Sequence, residues 1–498
     1  MATSYVIGLD IGTTSTVGIL VGLPGTVAAV ASRQTTLSSP QPGWAEEDPA
    51  EWWNNTCAVL QELMAALPAP KSALAGIAVT GMLPAVVLLD EAGQVLRPSI
   101  QQSDGRCSAE VDELRNEVPE ARFLARTGNG VNQQLVAAKL RWIERHEPAA
   151  FARIATVFGS YDYINWRLTG VHAIEQNWAL EAGFTDLAGH AIADDLVALA
   201  HIPRAALPRR TVAHERLGAV TGAAAGATGL PEGLPVFGGA ADHIASALAA
   251  GVTRAGDVLL KFGGAGDIVT ATDKVRPDAR LYLDYHLVPG LYAPNGCMAA
   301  SGSALNWLAG LLRPSRGGAH RRLDKLAESV PAGSDGVLCL PYFLGEKTPI
   351  HDPLARGTFT GLSLGHGPEH LWRALLEAVA YGFRHHVEVL TELGYAPARF
   401  LASDGGTASR VWMQVTADVV GAPVRLLRQS HGSCVGAAWV AAMGSGQNVG
   451  WGDVTRLARF GRTVRPNPAN AAVYARGYRD FRALYEALRA LFRARAQP

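Results

Sequence analysis

A chain of 498 residues is long enough for about two or three domains. Lys plus Arg number 44 and Asp plus Glu number 44, so a general electrostatic grip on nucleic acid or an anionic membrane is excluded and any anion site must be local. Hydrophobic residues at 48 % and charged residues at 18 % exclude a disordered chain and call for a large buried core.

In chain order, YVIGLD, IGTTS and TVGILV predict a strand, a glycine turn and a second strand. Asp48–Pro49 predicts a helix start, an N-cap followed by proline at the first helical position, with Trp53, Leu60 and Leu63 on the apolar face. LAGIAVTG and AVVLLD are the next buried strands, and helical patterns follow at 106–118, 133–147 and 159–169. Residues 203–235, rich in Pro, Gly and Ala and poor in periodicity, read as a connection between two halves. The second half is expected to restart with the strand LPVFGG and a helix from about Ala241.

VLLKF and DIVTAT then pair around the turn GGAG. A long helix is predicted from Pro368 to Leu393, with Leu371, Leu375, Val379, Phe383 and Val387 at every fourth position. FLASDGG, a helix from about Thr407, PVRLL and a helix from about Ser433 continue the alternation, which implies an α/β protein. GLDIGTTSTVGIL and VLLKFGGAGDIVT repeat one pattern of strand, glycine turn and strand, one in each half. That echo suggests a duplicated architecture with a ligand held between the halves; its spacing is far too long for a solenoid.

The residue types at these turns suit phosphate chemistry. Gly12 lets the backbone approach a phosphate, the N–H groups of Thr13 and Thr14 can point at its oxygens, and Asp10 would face Mg²⁺. The alternative is a plain hairpin with a capping aspartate; a phosphatase motif, with a second Asp two residues on, is disfavoured by Gly12. Asp242 follows a buried strand and opens a helix, where the helix dipole keeps a carboxylate ionised and ready to accept a substrate hydroxyl proton. An ordinary N-cap is its other reading, and His243 is expected to support the fold. Gly263-Gly264-Ala265-Gly266 and Asp404-Gly405-Gly406-Thr407 are two further glycine turns, and none of the turns carries a Walker A lysine motif.

Five scattered cysteines with no C-x-x-C pair argue against a disulfide framework or zinc site and fit a reducing cytoplasm. MATSYVIGLDIGTTS has no basic n-region and no stretch reaches the length of a membrane span, so a cytoplasmic protein is expected, with no membrane or nucleic-acid partner.

Taken together, the chain resembles the FGGY family of carbohydrate kinases. The resemblance rests on Ala138-Lys139-Leu140-Arg141-Trp142-Ile143-Glu144 with His146-Glu147-Pro148, and on residues 341–382 through Gly357, Phe359, Gly361, Leu362 and Glu377. GWAEEDPAEWW at 43–53 and residues 403–424 are similar to the family's pentulose kinases, the xylulose kinases above all. It implies two actin-like, ribonuclease-H-like domains, 1–250 and 251–498, with the active site in the cleft between them. The sugar, the first phosphate turn and the catalytic Asp would belong to the first domain, and the nucleotide to the second.

The resemblance further implies an ATP- and Mg²⁺-dependent kinase that phosphorylates the terminal hydroxyl of a ketose such as D-xylulose. Asp242 is its base, Asp10 the metal side, and Gly12, Thr13, Thr14, Gly263 and Gly264 its phosphate turns. Gly405, Gly406, Ser409 and Gly436 fall on the adenine side, and Met82, Leu83, Asp104 and Asp242 shape the sugar pocket. A homodimer is compatible with it.

Departures from the family pattern are Gly264 and Ala265 where Thr and Ser are usual, Asp404 for a glycine, Leu83 for a histidine, and Leu375 for a smaller residue. They leave open another ketose or sugar alcohol as substrate, or a non-catalytic member that senses a sugar or nucleotide. An actin-like ATPase would explain the turns but neither Asp242 nor the two long signatures.

Overall fold

Strand β1 (Tyr5–Ile11) turns at Gly12 into β2 (Ser15–Gly22), and β3 (Thr26–Gln34) extends the hairpin. The computed structural model describes residues 3–312, 318–429 and 431–496. Helix α1 (Pro49–Ala65) starts as its sequence demands: the Asp48 side chain accepts from the N–H of Ala50, and Trp52, Trp53, Leu60 and Leu63 are buried. β4 (Leu74–Gly81) lies parallel to β1, and helices α2 (Val136–His146), α3 (Ser160–Thr169) and α4 (Gln176–Glu181) follow.

Residues 203–235 are not a connection between halves. They supply β5 (Arg216–Ala219) and a helix at Gly222–Thr228, and LPVFGG becomes β6 (Pro235–Ala241), parallel to β4 in the first sheet. Just beyond this stretch, β6 packs tightly against β4. The β6 ladder shifts register between Phe237 and Ala240, and a Cβ on Gly239, whose φ is +90°, would lie 2.0 Å from the carbonyl oxygen of Val79. Glycine there answers to strand packing rather than to a flexible linker.

After α5 (Asp242–Ala249) the second sheet opens with the hairpin β7 (Asp257–Phe262) and β8 (Gly266–Thr270), then β9 (Tyr282–Tyr285) and β10 (Tyr292–Met298). Helices α6 (Gly302–Leu312) and α7 (Pro368–Glu392) precede β11 (Arg399–Ser403). They are followed by α8 (Arg410–Val420), β12 (Val424–Gln429), α9 (Ser433–Gly444), β13 (Arg459–Val464) and α10 (Ala471–Ala496). The predicted helix at Thr407 begins three residues later, because 405–408 form a tight turn and the Ser409 hydroxyl caps α8 by accepting from the N–H of Trp412.

The sheet orders are β5-β6-β4-β1-β2-β3 and β9-β10-β8-β7-β11-β12-β13. Taken from β3 and from β10, both run antiparallel, antiparallel, parallel, parallel, antiparallel. The echo of two glycine hairpins is therefore a duplicated α/β architecture of the actin-like kind.

Two features join the halves. Helix α9, from the second half, packs on the first sheet: Cys434, Val435, Ala438 and Trp439 share a core with Ile7, Leu9 and Val79. The approach is backbone on backbone, since a Cβ on Gly8 would stand 2.0 Å from the carbonyl oxygen of Cys434. The free edge of β9 is held by two side chains of the first half. The Asn129 amide both donates to and accepts from the backbone of Leu283, and the Asn177 amide does the same at Tyr285, all at 2.7–3.0 Å. A second core, with Leu260, Phe262, Trp372 and Phe383, lies against the other face of β7. No helix among the described residues is long and apolar enough to cross a membrane.

Gly8→Ala is expected to destabilise the protein by about 1–3 kcal/mol, because neither backbone can yield without moving a whole element. Thermal unfolding reads this, and an unchanged melting temperature would mean that α9 is free to slide on the sheet.

Candidate active site

Parallel strands β1, β4 and β6 end at one level, with Ile11 opposite Gly81 and Gly81 opposite Ala241. Asp10, Met82 and Asp242 therefore gather at the carboxyl ends of adjacent strands, the usual ligand side of an α/β sheet. Asp242 is the first residue of α5, and its Oδ1 accepts from the N–H of His243 at 2.5 Å. One oxygen is thus fixed by the helix start while the side chain stays 37 % exposed.

Asp10 is half-buried, and its buried Oδ1 has no hydrogen-bond partner. Burial, then the nearby Asp242 carboxylate, push its pKa up to about 7 against the opposing pull of the Ser433 hydroxyl and Lys261. Gly12 closes the first turn by donating to the Ser15 carbonyl at 3.1 Å, and the Thr13 hydroxyl reaches the sulfur of Met82 at 3.4 Å.

The second turn is shaped by the start of α6. Gly302 N–H donates to the carbonyl of Gly263, and those of Ser301 and Ser303 donate to the carbonyl of Gly264. With both carbonyls drawn to the helix, the turn separates two cavities. One, of about 300 Å³, is lined by Met82, Leu83, Gln102, Gln134, Asp242, Lys261, Asp267, Asn295 and Lys347 among others. The other, of about 510 Å³, is lined by Gly263, Gly264, Asn306, Trp372, Gly405, Gly406, Ser409 and their neighbours. Asp404, just before Gly405, has φ 73° and ψ −174°, a conformation suited to glycine that costs a side-chain-bearing residue about 1–3 kcal/mol.

Six of the residues anticipated at the site, Asp10, Gly12, Thr13, Thr14, Asp104 and Gly436, line neither cavity. Gly436 sits where α9 crosses α5, and a Cβ there would meet the carbonyl oxygen of Ala245 at 2.3 Å. Asp104 spends both oxygens on neighbours, the N–H of Ala45 and the guanidinium and N–H of Arg106. Burial opposes its charge, but the Arg106 side chain outweighs that and keeps the carboxyl below its usual range. Arg106 in turn lies 3.8 Å over the Trp44 ring and pairs with Glu46 at 2.7 Å, so the 43–53 stretch and Asp104 form one structural cluster. Lys139 is buried and donates to the carbonyls of Pro84 and Gln101, both at 3.0 Å, which fixes the two segments that carry Leu83 and Gln102.

His243 is set in a cluster of carboxylates. Its Nε2 lies 2.9 Å from Asp284 and 4.0 Å from Glu181, directly behind Asp242. Burial disfavours its charge, yet Asp284 and Asp242 outweigh this and hold the imidazole well above its ordinary pKa. Lys261, Asp267, Gln102, Gln134 and Asn295 line the smaller cavity without having been anticipated there from the sequence. The available signal was Lys261, the one charge in the apolar run VLLKF.

Residues 5–249 match the N-terminal domain, and residues 264–445 the C-terminal domain, of the FGGY family of carbohydrate kinases. The chain belongs to that family. It is 30 % identical over 485 residues to the xylulose kinase of Escherichia coli K12, covering 97 % of this chain and 99 % of the relative. The crystal structure of xylulose kinase from Rhodospirillum rubrum is similar with a TM-score of 0.95 and 68 % identity, covering 98 % of this chain and 100 % of that one. A glycerol kinase from Alkalilimnicola ehrlichii is 31 % identical over 460 residues, 89 % of this chain and 90 % of the relative. This FGGY carbohydrate kinase is accordingly a nucleotide-dependent phosphotransferase.

The raised pKa of Asp10 makes stability depend on pH. Its ordinary value is 3.8 and its folded value about 7, so the folded state binds more protons in between. The contribution is fully present below about pH 4 and is lost as pH rises through 7. In metal-free buffer Asp10→Asn should therefore gain on the wild type between pH 5 and pH 8 in scanning calorimetry. A difference that stays constant with pH would contradict the burial argument.

Proposed function

We propose that this chain transfers the γ-phosphoryl group of ATP to the terminal hydroxyl of a ketose, with D-xylulose as substrate and D-xylulose 5-phosphate as product. The observation that carries the reading is the β7–β8 turn standing between two cavities. The smaller one is walled by amide, carboxylate and ammonium groups fit to grip sugar hydroxyls and contains Asp242. The larger one is floored by the glycine turns and suits a nucleotide. The likeness to two xylulose kinases supports the choice of sugar. The division of labour follows at residue 250, sugar side before it and nucleotide side after, with α9 reaching back across that division.

Asp242 orients the attacking hydroxyl through its open oxygen and takes its proton. His243, held by Asp284, steadies that carboxylate from behind. The Leu83 side gives the pocket shape, and Gln102 and Gln134, 3.3 Å apart, offer amides to the sugar. The residues present also fit Mg²⁺: a buried, unpartnered carboxylate oxygen on Asp10 is the kind of hard donor this ion takes, directly or through water. When bound, Mg²⁺ supplies charge neutralisation on the phosphates. Closure of the two halves would exclude water, a competing phosphoryl acceptor.

A coupled ADP-release assay over ketoses and polyols tests the activity, and D-xylulose should give the highest kcat/KM. A different preferred sugar would move the substrate, while release independent of sugar would favour an ATPase. Asp242→Asn should lower turnover by roughly 10²–10⁴-fold and leave nucleotide binding and melting temperature nearly unchanged. A folded Asp242→Asn protein with normal turnover would reduce Asp242 to a helix cap.

A further inference from the structure

Lys261 is the penultimate residue of β7, directly opposite Asp267 on β8 and beside Ser403 on β11. Its side chain shares the strand face of Leu259, whose contacts lie in the core common to both halves, so the ammonium enters the cleft. Nζ is 3.3 Å from Asp267, the one ion pair it makes among the described residues, and two of its three donors remain for a ligand. Burial disfavours its charge, but Asp267, Asp404 and Asp242 together overcome this and secure the protonated form. Asp10 feels the same cation from the other side. Lys347, the other lysine of this cavity, is exposed.

Two of the departures from the family pattern, the second turn and Asp404, bear on Lys261. Where Thr and Ser are usual, Gly264 and Ala265 offer no hydroxyl. Glycine is not forced at 264: its φ lies outside the left-handed region and no atom lies within 4 Å of where a Cβ would stand. Asp404, in place of glycine, accepts a strained backbone and adds its carboxylate to the field on Lys261.

We propose that Lys261 is a catalytic residue of the phosphoryl transfer, its ammonium meeting the γ-phosphoryl oxygens in place of the missing hydroxyls of the second turn. The inference rests on the kinase reading above. In the step, the sugar oxygen bonds to the γ-phosphorus while the bond from that phosphorus to the β–γ bridging oxygen breaks. The electron pair leaves with ADP and the hydroxyl proton passes to Asp242. Lys261 keeps its proton throughout and lowers the barrier by fixed charge in a partly dehydrated site.

Lys261→Met should lower kcat by about 10²–10³-fold, the usual loss for one preorganised donor at the reacting group, with sugar KM changed less than threefold. In titration calorimetry without sugar, the preference for ATP over ADP should fall about tenfold, because only ATP carries the γ-phosphate. Lys261→Arg, which keeps the cation, should retain that preference. Adding Gly264→Thr and Ala265→Ser to Lys261→Met should recover at least tenfold in kcat. Turnover within threefold of wild type with an unchanged ATP-to-ADP ratio would leave Lys261 a cross-strand ion pair and overturn the proposal. So would a loss of kcat with neither a changed nucleotide preference nor rescue, since that is distortion of the hairpin. Failure of the kinase reading itself is seen separately, as wild-type ADP release that does not depend on any sugar in the coupled assay.

Discussion

The contact on which the rest of this protein depends is the backbone-to-backbone seat of α9 on β1. A side chain at Gly8 would hold the helix away, and one at Gly436 would do the same where α9 crosses α5. A helix entered from β12 of the second sheet thereby becomes part of the first core. Its first residue, Ser433, reaches Asp10 and opposes the rise in that carboxyl's pKa. The positive end of the α9 dipole also favours charge at this point. One crossing helix thus fixes the first glycine turn relative to the half that holds the second.

A chain with no net charge nevertheless concentrates charge of one sign where it matters. Asp10, Asp242, Asp267, Asp284 and Glu181 converge on the cleft, and burial with mutual repulsion drives Glu181 well above its usual range. His243 and Lys261 are the cations set among them. The counter-charges are few, interior and aimed, so they act at short range where salt screens least.

Local signals were legible in the sequence and long-range ones were not. The two glycine hairpins, the Asp48–Pro49 helix start and the long α7 helix follow from turn chemistry, capping and periodicity within a few residues. Asp242 was legible because a buried strand running into a helix start is itself a local pattern. Membership of β6 in the first sheet depended on a register shift against β4, which no window of sequence contains. The fate of Asp104 was decided by Arg106 and by Ala45, 59 residues away, so its carboxylate looked available when it was already engaged. Lys139 stood out as part of a motif, but its task of tying Pro84 to Gln101 emerges only once those segments meet.

The paired amides of Asn129 and Asn177 have a consequence for solubility. A strand at the margin of a seven-stranded sheet exposes unsatisfied N–H and C=O groups, an invitation to a strand from another molecule. On β9 the backbone groups of Leu283 and Tyr285 are already saturated by side chains that mimic a neighbouring strand without continuing it. The sheet is closed at that margin by two residues in place of a whole element. A partly unfolded first half would uncover it, and self-association through β9 is then the route by which local loss of structure becomes aggregation.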